Sequence, residues 1–413
     1  MPAIQHLPRR RVCACPEHKM PHLIVFSHLR WGFVYQRPQH LMSRLASAYQ
    51  VLFIEEPVLD RTGPARIESR LESPPGGGAP VEVLVPYTPV SAPGFDDAQL
   101  PSLLPLLEQA LAERGVRDYL VWLYTPMALP LTAELMPRAL VYDCMDELSA
   151  FKHAPPQLRQ RESALMQSAD LVLCGGPALH QAKRHQNPRV YCLPSAVDAA
   201  HFSPMRLDAS SAEAAEAERM QAGIGGPRLG FFGVIDERMD LALVNAMAAA
   251  RPDWQFVMAG PVVKISQEDL PRHPNLHWLG MQRYPVLPYL LSSWDVCLMP
   301  FALNESTRFI SPTKTLEYLA GEKPVVSTPV TDVVGLYGSV VRVADDAEGF
   351  LRHCEEALGL SAAQRQREVQ SSMAVVAASS WDASAAQVRR WLADVARPAH
   401  PLAAVAGTRL RAA

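Results

Sequence analysis

Lysine is rare in this chain of 413 residues, and one of its six lysines stands three residues before a glutamate in the stretch "SPTKTLEYLAGEKPVVST". Ser311 is a favourable N-cap residue and Pro312 suits the first helical position, so we expect a helix over residues 313–320. Lys314 and Glu317 then lie on one face of that helix, because residues three apart are neighbours on a helix surface.

This pair of side chains has the chemistry of a nucleotide site. The free N–H groups at a helix N-terminus attract anions, and phosphate oxygens there would stabilise a lysine that the helix dipole otherwise disfavours. A carboxylate one turn away can accept the hydroxyls of a ribose, as an acidic residue does in dinucleotide-binding folds. We therefore expect Lys314 on a diphosphate and Glu317 on a ribose. The alternative is an exposed ion pair worth about 0.2–0.5 kcal/mol.

The amino-acid composition limits the classes to which this protein can belong. A chain that is 48% hydrophobic and 20% charged can fill two cores, since single cores stop growing near about 250–300 residues. A formal net charge of -3 offers no basic surface, so we expect no nucleic-acid partner. Seven cysteines, an odd count mostly set in apolar runs, favour free thiols in the cytoplasm. No apolar run approaches the ~20 residues that span a bilayer.

The first twenty residues, "MPAIQHLPRRRVCACPEHKM", lack the apolar core of a signal peptide. We expect residues 1–20 to form a disordered tail, and Met20 is an alternative start. Cys13, Cys15 and His18 could be metal ligands, but no second cluster with zinc-type spacing accompanies them. The sequence therefore predicts no metal site.

The rest of the chain alternates short apolar runs such as "HLIVFS", "QVLFIEE" and "DLVLCGG" with helical patterns. This alternation predicts an α/β fold of parallel sheets covered by helices. We expect a Rossmann-like N-terminal domain over 21–205, a linker rich in Ala, Ser, Glu and Gly over 206–227, and a second Rossmann-like domain over 228–380. A helix over 381–397 should pack back toward the N-terminal domain. The ligand should bind in the cleft between the domains.

The Pro-x-Lys-x-x-Glu-Tyr-Leu-Ala run that starts at Pro312, followed by "KPVVST", resembles the donor-nucleotide segment of GT-B glycosyltransferases. The stretches "HLRWGFVYQRPQHLMSRLA" and "FFGVIDERMDL" look similar to bacterial sugar transferases of the large retaining class, glycosyl transferases group 1. This resemblance covers most of the chain from about Met20. It implies the GT-B fold, in which two Rossmann-like domains face each other across a cleft.

The resemblance also implies an activity. A hexosyl group would pass from a nucleotide-sugar donor to a glycan, lipid-linked or other small acceptor, with retention of configuration, in polysaccharide or glycoconjugate biosynthesis. Lysine and arginine would neutralise the donor charge, and the chain has no Asp-x-Asp motif, so we expect no metal cofactor. Peripheral association with the inner face of the membrane is also expected. Two alternatives stay open: a GT-B nucleotide-sugar 2-epimerase, and a non-catalytic binding partner.

The resemblance carries over to single donor-binding residues. Arg238 of "GVIDERMD" matches the basic residue that contacts the donor diphosphate, unless it is an ordinary surface charge, and Lys264 of "GPVVKI" is a further candidate. The first glutamate of the family's Glu-x7-Glu motif falls on Phe309, so its contact to the sugar is either missing or supplied by another residue such as Asn304 or Glu305. The predicted donor-binding residues are Gly233, Arg238, Lys264, Asn304, Thr313, Lys314 and Glu317.

A candidate catalytic carboxylate follows the predicted strand in "LVYDCMDELSAF". An inverting transferase needs a general base for the acceptor hydroxyl, whereas a retaining one can pass that proton to the departing phosphate. Asp146 is the candidate, although it could instead cap the next segment while Asp143 makes structural hydrogen bonds. Arg30, Arg37 and His40 are candidates for acceptor contacts, with His40 equally well explained as a satisfied helix histidine.

Overall fold

The structure is a computed structural model that describes residues 20–75 and 78–397. The predicted tail up to residue 19 therefore lies outside the described residues, as do Cys13, Cys15 and His18. Within the described part, strands and helices alternate along the chain, and the α/β prediction is confirmed.

The strands are short and mostly buried, as expected of apolar segments covered by helices on both faces. They are β1 (His22–Ser27), β2 (Gln50–Glu55), β3 (Val58–Leu59), β4 (Arg66–Glu72), β5 (Val81–Thr88), β6 (Tyr119–Leu123), β7 (Leu140–Cys144), β8 (Leu171–Cys174), β9 (Val190–Cys192), β10 (Arg228–Phe232), β11 (Gln255–Ala259), β12 (Leu276–Gly280), β13 (Val296–Met299), β14 (Val325–Ser327) and β15 (Arg342–Val343).

The helices lie between these strands and after the last one. They are α1 (Arg37–Leu45), α2 (Leu100–Glu113), α3 (Leu158–Ser168), α4 (Pro177–Lys183), α5 (Ala199–Phe202), α6 (Ala212–Gln221), α7 (Leu241–Ala250), α8 (Leu287–Ser292), α9 (Lys314–Ala320), α10 (Thr331–Tyr337), α11 (Ala347–Leu358), α12 (Ala362–Ala377) and α13 (Trp381–Val395).

The N-terminal domain is built on a sheet that has nine strands in the described part of the chain. Its order is β3-β5-β2-β1-β6-β7-β8-β9, with β4 paired to β5. All pairs are parallel except β4 with β5. Separate apolar clusters cover the two faces of the sheet. The strand order reverses at β1, and ligands bind at such a switch point outside the carboxyl ends of the strands.

The C-terminal domain has a parallel sheet in the order β12-β11-β10-β13-β14-β15. This is the strand order of a Rossmann fold, with its switch point at β10. Two apolar clusters again cover its faces. The loops after β10 and β13 therefore leave the sheet at the edge where a ligand is expected.

The segment 206–227, predicted as a linker, contains helix α6. Ala217 and Ile224 of this segment are buried in the apolar cluster of the C-terminal domain. The Gln221 side-chain oxygen accepts a hydrogen bond of 2.9 Å from the Trp294 indole N–H. The segment thus packs on the second domain as well as connecting the two.

The final helix α13 lies on the N-terminal domain. Trp381, Ala385, Val388 and Leu392 recur at helical spacing and are buried in the core cluster that also contains β1 and α1 residues. The chain therefore crosses between the domains twice, once before α5 and once before α13. None of the described helices is long and apolar enough to cross a membrane.

Candidate active site

A cavity lies between the two domains, at the carboxyl ends of the central strands of both sheets. The N-terminal domain lines it with Tyr35, Arg37, Met145, Asp146, Gly175 and Ser195 among others. The C-terminal domain contributes Gly233, Arg238, Gly260, Gln282, Tyr284, Thr313, Lys314 and Glu317. Seven predicted site residues are thereby brought together: Gly233, Arg238, Thr313, Lys314, Glu317, Asp146 and Arg37.

Helix α9 carries the lysine and the glutamate, but it begins one residue later than predicted. Its N-cap is Thr313, so the prediction of Ser311 as N-cap and Pro312 as first helical residue is wrong. The cause lies across the cleft, where the Ser195 hydroxyl donates to the Ser311 carbonyl at 2.8 Å. The Thr313 hydroxyl donates in turn to Ser195 Oγ at 3.2 Å. Contacts with the N-terminal domain, rather than capping, fix this turn.

The Lys314 ammonium has no carboxylate within 4.0 Å in the described part of the chain. Its Nζ lies 5.1 Å from the ring centroid of Phe301 and 5.4 Å from that of Phe231. Burial lowers the pKa of Lys314, and the nearby Arg238 guanidinium lowers it further. A poorly hydrated cation without an anionic partner, facing a cavity, is suited to an anionic ligand.

Glu317 lies one turn further along α9, with its side chain only 7% exposed. Its carboxylate makes no hydrogen bond to any described residue, although it borders the cavity. Burial raises the pKa of Glu317, and the positive charge of Lys314 opposes this effect. Buried carboxylates are normally paired, so an unpaired one at a cavity wall indicates a ligand that donates hydrogen bonds.

Arg238 supplies a second cation to the cavity. Its Nη2 donates to Asp236 Oδ2 at 2.7 Å and its Nε donates to Asp236 Oδ1 at 2.9 Å. Asp236 is 2% exposed and therefore fixes the guanidinium against the protein. The guanidinium also lies over the ring of Phe151 in the N-terminal domain, 5.3 Å from its centroid. An arginine held on one side in this way is oriented for an anion on the other.

Two glycines bring the loops after β10 and β11 close to Lys314. Gly233 has φ 139° and Gly260 has φ 158°, both in the region that L-residues rarely adopt. A Cβ atom on Gly260 would overlap the Gly233 carbonyl oxygen. A Cβ atom on Gly233 would lie 2.7 Å from Lys314 Cε. The lysine stem can lie where it does because position 233 has no side chain.

Asp146 faces the same cavity from the N-terminal domain, two residues after β7. Its carboxylate makes no hydrogen bond to a described residue. Burial raises the pKa of Asp146, while Arg238 and then Arg37 oppose the shift. The N-terminal domain thus offers a carboxylate, and the C-terminal domain offers two cations and a carboxylate. In the described residues no group of three or more His, Cys, Asp or Glu side chains is arranged to hold a metal ion.

Comparison with known proteins identifies the class. Residues 226–359 match the family model described as Glycosyl transferases group 1. The chain is 25% identical over 292 residues to a Bacillus subtilis protein named as a teichuronic acid biosynthesis glycosyltransferase, TuaH. The match covers 66% of this chain and 72% of that protein. The chain is a glycosyltransferase.

Solved structures share the fold of this glycosyltransferase. Sucrose-phosphate synthase from Thermosynechococcus elongatus superposes with a TM-score of 0.68 at 15% identity, over 91% of this chain and 99% of that one. Anabaena HepE in complex with UDP and glucose superposes with a TM-score of 0.62 at 15% identity, over 90% of this chain and 100% of that one. The trehalose-6-phosphate protein of Escherichia coli bound with UDP-2-fluoro glucose superposes with a TM-score of 0.64 at 11% identity, over 91% of this chain and 99% of that one. The predicted GT-B fold is thereby confirmed.

Two residues predicted to contact the acceptor instead stabilise the N-terminal domain of the glycosyltransferase. Arg37 is 3% exposed, and its guanidinium donates to Asp143 Oδ1 at 2.8 Å and to the Leu193 carbonyl at 2.6 Å. His40 is 1% exposed and stacks on Trp381 of α13, with 4.9 Å between the ring centroids. Arg37 borders the cavity while these internal hydrogen bonds hold its guanidinium, whereas His40 does not border the cavity.

Three further predicted residues lie outside the cavity lining. Lys264 Nζ stands 4.5 Å from the centroid of the Phe151 ring, and 3.9 Å from Glu237 Oε1. Lys264 therefore sits beside Arg238 at a contact between the domains. Its position gives it no direct place in the cavity.

Asn304 and Arg30 each bond to other residues of their own domains. The Asn304 side-chain oxygen accepts from the Ser306 amide at 2.9 Å, which closes a turn. Arg30 pairs with Glu55 at 3.0 Å. Phe309, in the position of the family's first glutamate, packs against the apolar cluster of the N-terminal domain. Phe309 thus makes a hydrophobic contact between the domains.

Sequence reasoning missed the aromatic wall of the cavity. Tyr284 lies between Tyr35, at 4.6 Å between ring centroids, and His201, at 4.1 Å, and both rings are stacked on it. Tyr35 lies in the loop after β1, His201 in helix α5, and Tyr284 in the turn before α8. The run "QRYPVLPYLL" carried no signal that could distinguish a cavity tyrosine from a core tyrosine.

Proposed function

We propose that this glycosyltransferase moves a hexosyl group from a nucleoside diphosphate sugar to a saccharide acceptor. The observation that carries the proposal is a pair of charged side chains on α9, Lys314 and Glu317. Both border one cavity, and neither makes a hydrogen bond or a close ion pair with a described residue. A diphosphate satisfies the lysine, and the hydroxyls of a ribose satisfy the glutamate. The hydrogen-bonding capacity of the ligand complements that of the cavity.

A UDP-sugar is the donor to test first. HepE was solved with UDP and glucose, and the Escherichia coli trehalose-6-phosphate protein with UDP-2-fluoro glucose. Both share the fold of this chain at low identity, which supports the choice of UDP only as a starting point for a panel of nucleotides. We propose that the base contacts Gln282, Tyr284 and Leu287, which also line the cavity.

In the proposed reaction the acceptor hydroxyl oxygen forms a bond to the anomeric carbon, and the bond from that carbon to the diphosphate oxygen breaks. Lys314 and Arg238 stabilise the negative charge that develops on the departing diphosphate. We propose retention of configuration, in which the acceptor proton passes to a phosphate oxygen of the leaving group. Asp146 then binds and orients the acceptor hydroxyl. If the configuration inverts, Asp146 takes the proton as the general base.

The acceptor we propose is a growing glycan or a lipid-linked saccharide, in polysaccharide biosynthesis. Support comes from the relative named for teichuronic acid biosynthesis. We propose that the reaction takes place in the cytoplasm, at the inner face of the membrane. We also propose that transfer requires no metal ion, because Lys314 and Arg238 supply the positive charge.

The test begins with thermal shift against UDP, ADP and GDP, since a ligand stabilises the folded state in proportion to ln(1 + [L]/Kd). The corresponding hexose conjugates are then incubated with the protein in EDTA, and release of nucleotide and free sugar is followed. Sugar release that persists in EDTA supports a metal-independent transferase. Loss of activity in EDTA with recovery in Mg²⁺ or Mn²⁺ contradicts metal independence. An epimerised nucleotide-sugar indicates the 2-epimerase, and nucleotide binding without turnover indicates the binding partner.

A further inference from the structure

A carboxylate of the C-terminal domain reaches into the N-terminal domain below the cavity. Asp332 of α10 is 2% exposed, and its Oδ1 accepts a hydrogen bond of 2.9 Å from the backbone N–H of Ala178 in α4. Its Oδ2 is buried and has no hydrogen-bond partner. A buried carboxylate that bonds across a domain boundary depends on close apposition of the two domains.

Gly176 allows this close approach. A Cβ atom at this position would overlap Asp332 Oδ2 and would lie 2.7 Å from the Ser311 Cβ. Any side chain larger than hydrogen would therefore push away two residues of the C-terminal domain at once. Gly176 is followed by Pro177 at the first position of α4, so the backbone has little freedom to move aside.

A second pair of contacts fastens the turn that leads into α9. Ser195 accepts from the Thr313 hydroxyl and donates to the Ser311 carbonyl, as described above. Lys314 directly follows Thr313 in the chain. The position of the Lys314 side chain is thus tied, through one peptide unit, to the surface of the N-terminal domain.

We propose that these contacts form a latch whose residues position Lys314 opposite Asp146 for transfer. The latch consists of Gly176, Ala178 and Ser195 in the N-terminal domain, and Ser311, Thr313 and Asp332 in the C-terminal domain. Gly176, Ser195 and Asp332 are accordingly positioning residues, which act through the loop that precedes Lys314. The kinetic part of this inference rests on the proposed function.

The latch has a distinct kinetic signature because the two halves of the site belong to different domains. The groups proposed to bind the nucleotide, Lys314, Glu317 and Arg238, all belong to the C-terminal domain. Asp146 belongs to the N-terminal domain. Separation of the domains leaves the nucleotide groups together but removes Asp146 from them. A broken latch should therefore lower kcat while the nucleotide Kd changes little.

The test compares Gly176→Ala, Asp332→Ala and Ser195→Ala with the wild type. Gly335→Ala is the matched control, because Gly335 lies on the same helix as Asp332 and a Cβ there would meet nothing within 4 Å. Asp332→Asn is the conservative variant, since the amide oxygen still accepts from Ala178. UDP affinity is measured by calorimetry, UDP-glucose turnover by nucleotide release, and domain separation by the radius of gyration from small-angle X-ray scattering.

We expect Gly176→Ala and Asp332→Ala to lose at least tenfold in kcat and to have a larger radius of gyration, with the UDP Kd within threefold of wild type. Asp332→Asn should recover most of the activity, and Gly335→Ala should match the wild type. Unchanged radius of gyration in folded Gly176→Ala and Asp332→Ala overturns the latch, whatever the activity. If the wild type binds no nucleotide, the proposed function is contradicted. The radius of gyration of the variants still shows whether the latch holds the domains together.

Discussion

Gly233 lies directly against Lys314, since a Cβ atom on this glycine would stand 2.7 Å from the lysine Cε and 3.2 Å from its Nζ. A methyl group there must displace the ammonium, and the φ of 139° also strains any L-residue. We expect Gly233→Ala to weaken UDP binding about tenfold, which corresponds to about 1.4 kcal/mol. Calorimetry with Gly335→Ala as the control measures the effect. Affinity within twofold of wild type, in a folded variant, would argue against this placement of Lys314.

Arg37 and Asp143 form a buried ion pair, with the two side chains 3% and 0% exposed. Removing one partner leaves an uncompensated buried charge, so we expect Arg37→Met and Asp143→Leu each to cost about 3–5 kcal/mol of unfolding free energy. The double variant should cost clearly less than the sum, because neither charge then remains. Urea unfolding of the four proteins measures the coupling. Additive losses would show that the two residues do not act as a pair.

Asp332 should make stability depend on pH. Burial raises the pKa of Asp332 to about 6, from an ordinary value of 3.8. The folded state then holds its proton more tightly than the unfolded state, so the stabilisation is present at low pH and is lost as the pH rises through about 6. The titratable groups that interact with Asp332 are Cys192 and Tyr337, and burial raises the pKa of both, so they stay protonated below pH 8.

Asp332→Asn lacks this titration. We therefore expect the stability of Asp332→Asn relative to wild type to be more favourable at pH 8 than at pH 4, as measured by urea unfolding at both values. An equal difference at the two pH values would mean that Asp332 keeps an ordinary pKa in the folded state.

Glu317→Gln tests the ribose contact. The ribose does not change during transfer, so its binding energy is the same in the ground and transition states and appears mainly in KM. We expect the donor KM to rise by roughly five- to tenfold, within the range of about 1–3 kcal/mol for hydrogen bonds to charged groups, with a smaller change in kcat. Glu348→Gln, at an exposed position on α11, is the control. A loss confined to kcat would place Glu317 on the reacting sugar instead.

Local patterns in the sequence predicted much of the fold and part of the site. Alternating apolar runs and helical patterns indicated two parallel sheets, because strands buried on both faces need such runs. The spacing of Lys314 and Glu317 placed them on one helix face, and the structure brings both to one cavity. These inferences depend on neighbours in the chain, which a single sequence displays.

Long-range partners account for the rest. Nothing in "QRPQH" shows that Arg37 meets Asp143, 106 residues away, or that His40 stacks on Trp381 of the last helix. Serine is common at helix N-caps, which is why Ser311 was predicted as one, but the contact of its carbonyl with Ser195 sets its conformation. The "GGP" after β8 was a visible signal for close approach of the backbone, although its partner Asp332 could be found only in the fold.

Lys314 should bind the diphosphate of the donor. The decisive measurement is the Kd of Lys314→Ala for UDP and for uridine, with wild type and the exposed-site variant Lys152→Ala compared by calorimetry. We expect Lys314→Ala to lose about 5- to 150-fold in affinity for UDP, from about 1–3 kcal/mol of charge-assisted hydrogen bonding, and to bind uridine as the wild type does. Lys152→Ala should bind both normally. Equal affinity of folded Lys314→Ala and wild type for UDP would show that Lys314 does not bind the diphosphate.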